Sequence, residues 1–277
     1  MEIIEPNIKL KPFLRWAGGK TWLLKSIHDF LPERINNYFE PFLGGASVFI
    51  HLKQNGLIKN KAYLSDQNEQ LINAYNVLKK TPNLLMERLD QLENNKEVYY
   101  KIRNTVFESE LSRAAQFIFL NRTSFNGIYR ENLKGEYNVP YGNKIYKDLY
   151  NFENLKGVSN LLKNTTFQSH DFIKIKTKVK KGDFVFLDPP YTVAHQHNGF
   201  VKYNQKIFLW EDQIKLKSLI LHLIEKDIKF ILTNASHKSI DDLYKNVGKH
   251  YYLKRASVIG GKNATRDTYE EILITNV

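Results

Sequence analysis

The chain has 277 residues, 42% of them hydrophobic and 25% charged, which suits one large globular domain or a domain carrying a sizeable insert. It contains no cysteine, which excludes disulfides, thiolate zinc sites, cysteine-held iron–sulfur clusters and a thiol nucleophile. The formal net charge of +12, from 41 Lys and Arg against 29 Asp and Glu, favours a polyanionic partner without naming one.

In chain order, MEIIEPNIKL lacks the basic-then-apolar order of a signal peptide and no run of 18 apolar residues follows, so the cytoplasm is the expected location, with no membrane association. "FLRWAGGKT", 13 to 21, ends in Gly-Lys-Thr, yet Leu14 stands where a phosphate loop needs its first glycine. Lys20 remains a cation on a turn, suited to a carboxylate or phosphate. A strand over 38–42 runs into Gly44-Gly45-Ala46-Ser47 and then a helix. That turn lets a ligand reach the backbone, or is simply a tight strand-to-helix connection. A second strand, 62–66, ends at Asp66, placed to accept from ribose hydroxyls or to cap the following helix.

Helical periodicity follows over 71–80, 84–92 and 111–120, and then the polar, aromatic passage "NRTSFNGIYRENLKGEYNVPYGNKIY". Residues 76–164 read as a mostly helical insert with an exposed loop, between halves 1–75 and 165–277 of a core. Further strands are expected over 166–170, 184–188, 229–234, 251–258 and 271–277, with a helix over 211–224. This alternation predicts an α/β fold with a parallel, doubly wound sheet. "KIKTKVKK", 174–181, reads as a solvated connection.

The stretch "VFLDPPYT" ends the 184–188 strand on an acid, two prolines and an aromatic ring. Ligands of open α/β sheets sit at the carboxyl ends of strands, where Asp188 is expected. Pro189 and Pro190 hold the backbone rigid and carry no N–H, so their carbonyls are free to accept, while Tyr191 offers a flat ring. A planar amine fits these acceptors, and the exocyclic amine of a nucleobase is one; taken alone, the four residues read first as an acid-capped turn ending a strand.

"FLRWAGGK", "FEPFLGGASVF", "LSDQN", "LNRTSFNGIYRENLKGEYNVPYG", "DPPY" and "GGKNATRDTYEEILITN" occur in an order that resembles the Dam-like, D12 class of DNA adenine-N6 methyltransferases, across almost the whole chain. The resemblance implies a Rossmann-like S-adenosylmethionine-dependent core with a target-recognition insert. It further implies methyl transfer to N6 of an adenine flipped out of double-stranded DNA, at GATC or a related site. Trp16, Ala17, Lys20, Glu40, Pro41, Phe42 and Gly44 then match positions holding the methionine part of the cofactor. Asp66 matches the ribose acid, and Asp171 with Phe172 the contact to the cofactor adenine. Asp188, Pro189, Pro190 and Tyr191 form the catalytic turn, with Asp188 also bordering the cofactor, and no covalent enzyme intermediate is needed.

Arg15, Arg122, Phe125, Asn126, Ile128, Arg130 and Pro140 match positions that enter or border the major groove: an aromatic to fill the gap left by the base, an arginine for guanine, apolar atoms for a thymine methyl. Arg15 stands where lysine is common, Ala46 where glycine is frequent and Phe125 where tyrosine is usual. His195 and His197 have metal-like spacing but no further ligands nearby, so no metal is expected and the segment reads as a loop near the flipped base. "GGKNATRD", 260–267, reads as a phosphate clamp in preference to a solvated hairpin loop. A cognate restriction endonuclease acting on the same site fits the resemblance, and a monomer is expected. Two other readings stay open: an RNA base methyltransferase and a non-catalytic nucleic-acid-binding protein.

Overall fold

The computed structural model describes residues 9–132, 135–146, 148–192, 208–256 and 268–277. The expectations for His195, His197 and residues 260–267 fall outside these. Seven strands, β1 Tyr38–Glu40, β2 Ala62–Asp66, β3 Thr165–Ser169, β4 Phe184–Leu187, β5 Lys229–Ala235, β6 Lys249–Ala256 and β7 Thr268–Thr275, lie in the order β3-β2-β1-β4-β5-β7-β6. Each matches a strand expected from the sequence. The order β3-β2-β1-β4-β5 is that of a doubly wound, Rossmann-like sheet.

The sheet is not wholly parallel. β1 pairs in parallel with β2 and β4, and β4 with β5, but β7 is antiparallel to both β5 and β6. Chain length explains this: residues 257–267 are too few for the crossover of about a dozen or more residues that parallel neighbours require. β6 keeps the sense of β5, and β7 returns between them, antiparallel to both. β4 is buried at every position, as an interior strand covered on both faces must be, which is why its sequence reads as an unbroken apolar run.

The chain forms two compact units. A helical unit comprises Met1–Thr21, Gly44–Leu57 and Asp66–Ser169. It holds α1 Ser47–Gln54, α2 Glu69–Lys80, α3 Pro82–Asp90, α4 Lys96–Asn104, α5 Glu110–Thr123 and α6 Phe152–Leu161. Side-chain caps start four of them: Asn68, Asn95, Ser109 and Asn151 accept from backbone N–H groups one turn on, and Pro82 opens α3. α5 buries Ala114, Ala115 and every residue from Phe117 to Asn121, so it is apolar on nearly all sides and lies deep in the unit. Tyr99, Phe119 and Leu120 form a cluster with Tyr137, Tyr141 and Tyr150 packed against it. Tyr99 donates to Val139 O at 2.8 Å and Tyr141 to Asn94 O at 2.9 Å, which ties the 137–141 segment to the helices.

The sheet unit comprises Trp22–Leu43, Ile58–Ser65 and His170–Val277. Its helices α7 Trp210–Glu225 and α8 Lys238–Tyr244 and a 3₁₀ turn Phe172–Thr177 pack around a core that includes Phe39, Val185, Leu187, Leu216, Leu219, Phe230, Leu232, Ile272 and Ile274. At the opposite end of the strands from the candidate catalytic turn, buried Asp183 accepts from the backbone N–H and the side-chain amide of Asn37 at 3.2 and 2.8 Å. That bond fixes the entry of β4 beside β1. Among the described residues no helix is long and apolar enough to cross a membrane.

Candidate active site

In the sheet unit the register brings the carboxyl ends of three parallel strands together. Phe39 faces Val185 and Leu187 faces Leu232, so Asp188 finishes beside Thr233, while Glu40 is level with Phe186, two residues earlier on β4. Thr233 donates its hydroxyl to Asp188 Oδ1 at 2.8 Å, which orients a carboxylate that keeps partial access to solvent. Three residues on, the Tyr191 hydroxyl donates to Glu271 Oε2 at 2.5 Å, from the return strand β7. Behind the turn a buried amide network holds the following residue. Gln213 of α7 donates to the Thr192 hydroxyl at 3.1 Å and accepts from Asn234 of β5 and Tyr244 of α8. Pro189 is buried and Pro190 partly so.

The electrostatics are acidic. Glu40 is 3% exposed and accepts from the Tyr38 hydroxyl at 2.8 Å, two residues back on the same strand face. Burial first, then the Glu40 carboxylate and the charge of Asp188, push the Tyr38 hydroxyl well above the ordinary tyrosine range. Glu40, Asp188 and Glu271 therefore surround the end of β4 with acceptors, an environment that favours a donor or a developing positive charge.

Pro41 is buried beside Glu40, and Phe42 leans on Phe172 at 5.2 Å and on Phe208 at 5.7 Å. Phe172 is a core residue, 2% exposed. Asp171 caps the 3₁₀ turn that follows, accepting from Ile173 N at 2.9 Å.

In the helical unit Trp16, Lys20, Gly44 and Asp66 converge on one turn. Gly44 has φ +46°, and a Cβ there would lie 2.6 Å from Trp16 Cδ1, so the indole rests directly on the glycine. On its other side Trp16 stacks on Tyr129 at 5.8 Å. Gly44 N donates to Asp66 Oδ2 at 3.1 Å, and Asn68 N to Asp66 Oδ1 at 3.0 Å. The helix-cap reading of Asp66 fails, because the cap of α2 is Asn68. Burial raises the Asp66 carboxyl above its usual value, opposed by backbone hydrogen bonds from Asn68, Gly44 and Gln67. Lys20 is 2% exposed, with Nζ donating to Gly18 O at 2.8 Å and its backbone N–H to Ser47 Oγ at 3.2 Å. Ala17 lies exposed on the turn between them.

The remaining candidates gather around α5. Asn121, fully buried, accepts from Arg15 N at 2.8 Å and donates to Arg15 O at 2.7 Å, in the manner of a strand partner. Arg15 also packs under Gly127, where φ is +64° and a Cβ would meet Arg15 Cδ at 2.3 Å. The guanidinium groups of Arg15 and Arg122 both lie over the Tyr146 ring, at 5.3 and 5.6 Å, and Arg122 Nε donates to Leu149 O at 2.8 Å. Burial and then the Arg15 charge pull Arg122 below the usual arginine value. Phe125 is 52% exposed, with its N–H held by Pro140 O at 2.9 Å. Asn126 adopts φ +56° and is exposed, Ile128 is partly buried, Pro140 is exposed, and Arg130 Nε donates to Asn138 Oδ1 at 2.8 Å. A large exposed aromatic flanked by cations and amides suits a flat, anionic ligand.

Sequence reasoning missed Thr233, Gln213, Asn121 and Glu271. Only Glu271 carried a signal, an acid inside an apolar strand pattern. Among the described residues no group of three or more His, Asp or Glu is placed to hold a metal ion.

The sequence model of the D12 class N6 adenine-specific DNA methyltransferase family matches residues 16–259. A Lactococcus lactis subsp. cremoris protein, Type II methyltransferase M1.LlaDCHI, is 35% identical over 100% of this chain and 99% of its own. Type II methyltransferase M.MjaIII of Methanocaldococcus jannaschii is 37% identical over 97% of this chain and 100% of its own. The DNA adenine methylase of Escherichia coli K12 is 31% identical over 96% of this chain and 95% of its own.

Proposed function

Because the chain belongs to the D12 class N6 adenine-specific DNA methyltransferase family, and is therefore an adenine-specific DNA methyltransferase, we propose that it uses S-adenosylmethionine to methylate N6 of an adenine flipped out of duplex DNA at GATC or a related site. The observation that carries this reading is the turn at the end of β4, with Asp188 oriented by Thr233 and Tyr191 by Glu271.

The residues present suit the cofactor. Asp66, which takes backbone N–H groups from Gly44 and Asn68, has acceptor capacity beyond them for a ribose hydroxyl. Trp16 on Gly44 provides an apolar wall, and Lys20 a cation for a carboxylate. Ala17, Glu40, Pro41, Phe42, Asp171 and Phe172 are proposed to complete its binding. S-adenosylmethionine supplies an electrophilic sulfonium methyl group.

Asp188 and the Pro189 carbonyl accept the two N6 hydrogens, which localises the nitrogen lone pair for attack and stabilises the positive charge that develops on that nitrogen. Tyr191 stacks on the base. Flipping costs a few kcal/mol, and Phe125 fills the space the adenine leaves. Arg15, Arg122, Asn126, Ile128, Arg130 and Pro140 contact bases or backbone from the 76–164 segment and its neighbour, and the net charge of +12 supports binding to phosphates. The type II methyltransferase names of two relatives support a role beside a restriction endonuclease.

The test is expression in a host lacking adenine methylation, followed by single-molecule sequencing of its DNA. N6-methyladenine at one short motif is expected from the wild type, and none from Asp188→Ala at equal expression and thermal stability. A folded wild-type protein that binds S-adenosylmethionine yet leaves every adenine unmodified overturns the reading.

A further inference from the structure

Stacking on a base requires only the ring of Tyr191, and phenylalanine would supply it. Yet the ring ends in a hydroxyl that donates at 2.5 Å to a carboxylate 80 residues away, on a strand where Glu271 is 1% exposed. Burying a carboxylate is unfavourable unless something acts on it, so this pair calls for a functional account. We propose that Glu271 is a positioning residue of methyl transfer: it fixes the plane of the Tyr191 ring and enriches its electron density against the charge developing on the target amine.

The sheet register supports the positioning. Glu271 faces Ala235 across the antiparallel β5–β7 pair, and Thr233 lies two residues from Ala235. Side chains opposite one another, and those two apart, share a face. Thr233 and Glu271 are therefore diagonal neighbours on one face of the same ladder. The first holds Asp188 and the second holds Tyr191, so both functional ends of the turn are anchored to one rigid element. Anchored at its far end, the ring is restrained against rotation about its side-chain torsions.

The electronic part follows from the charge on Glu271. A charge-assisted O–H···O⁻ bond leaves partial negative charge on the phenol oxygen and hence on the ring face. N6 becomes positive as it takes the methyl group, and an electron-rich face stabilises that charge more than the neutral base. Glutamine would offer only an uncharged acceptor, which weakens the hold on the ring and removes this second effect.

This proposal rests on the reading of Asp188 to Tyr191 as the catalytic turn. It is tested with the full chain by single-turnover methylation of duplex DNA containing the target site, for wild type, Tyr191→Phe, Glu271→Gln and the double variant. Each single variant is expected to lose about tenfold in rate, the worth of a hydrogen bond to a charged group. DNA KM and the dissociation constant for S-adenosylmethionine stay within about twofold, the signature of an interaction made in the transition state. The double variant should be no slower than the slower single, since both changes remove one interaction. With 2-aminopurine at the target position, Glu271→Gln should change the quenching of the flipped base. A wild-type rate in Glu271→Gln, losses that multiply, or losses that follow a fall in Tm and cofactor affinity each overturn the proposal. If Glu271→Gln does not fold, Tyr191→Phe decides: the wild-type rate overturns the proposal, a tenfold loss with KM unchanged supports it. An active wild type with indifferent variants sinks this inference alone, whereas a folded but inactive wild type sinks the reading of the turn as well.

Discussion

At the scale of single residues, the turn at Gly44 shows how one missing methyl group organises several side chains. The backbone there is left-handed, which costs a non-glycine residue about 1–2 kcal/mol. The indole of Trp16 also occupies the volume a Cβ would need, and cannot yield without leaving its stack on Tyr129. Overpacking of this kind adds about 1–3 kcal/mol. Gly44→Ala is therefore expected to lower unfolding free energy by about 2–5 kcal/mol, read as a shift of the urea midpoint with an unchanged slope. Gly45 is the internal control. Its Cβ would come only within 3.2 Å of Trp16 Cβ and its φ is not positive, so Gly45→Ala should cost less than half as much. Equal midpoints for the two variants would show that Trp16 is not held as described.

At the scale of elements, α5 organises the helical unit through a side chain that imitates backbone. Asn121 pairs with both the N–H and the carbonyl of Arg15, at full burial. Removing it strands the N–H and the carbonyl of half-buried Arg15, each costing about 1–2 kcal/mol, the lower part of the range for unsatisfied buried groups. Asn121→Ala should thus destabilise by about 2–4 kcal/mol in chemical denaturation. Asn121→Asp should do no better, because it keeps the acceptor but loses the donor and buries a charge; near-wild-type stability in either variant would refute the pairing. This contact also marks the limit of what sequence discloses. All seven strands and the helices over 71–80, 84–92, 111–120 and 211–224 were legible, because periodicity is a local signal. α4, α6 and α8 were not: α4 is polar, α6 contains Gly157, and α8 is short. Asp188 and Tyr191 could be picked out because they are adjacent in the chain. Their anchors could not, since Thr233 and Glu271 meet them only through strand register, 45 and 80 residues away. Strand direction is also absent from local sequence, since it depends on β7 returning between β5 and β6.

At the scale of the whole molecule, the chain hides tyrosine hydroxyls in both units, and this sets its behaviour in alkali. Burial raises Tyr99, Tyr150 and Tyr244 above the ordinary value and Tyr137 to about 12; burial, Glu40 and Asp188 raise Tyr38. An unfolded chain releases these protons near pH 10, whereas the folded one retains them. Their contribution to stability is complete below pH 10 and is lost as pH climbs through the folded values. Each group removes about 1.4 kcal/mol per pH unit in that window. Five such groups acting together exhaust the roughly 5–15 kcal/mol available to a protein of ordinary stability within about two units. Cooperative unfolding is therefore expected between pH 10 and 12. In an absorbance titration at 295 nm these tyrosines should remain silent until circular dichroism collapses, then ionise in one step with it. Exposed tyrosines such as Tyr252, 51% exposed, should titrate with the fold intact, although its bond to Asp241 holds it above the usual value. A smooth titration of all 16 tyrosines with unchanged ellipticity would contradict the burial described for both units.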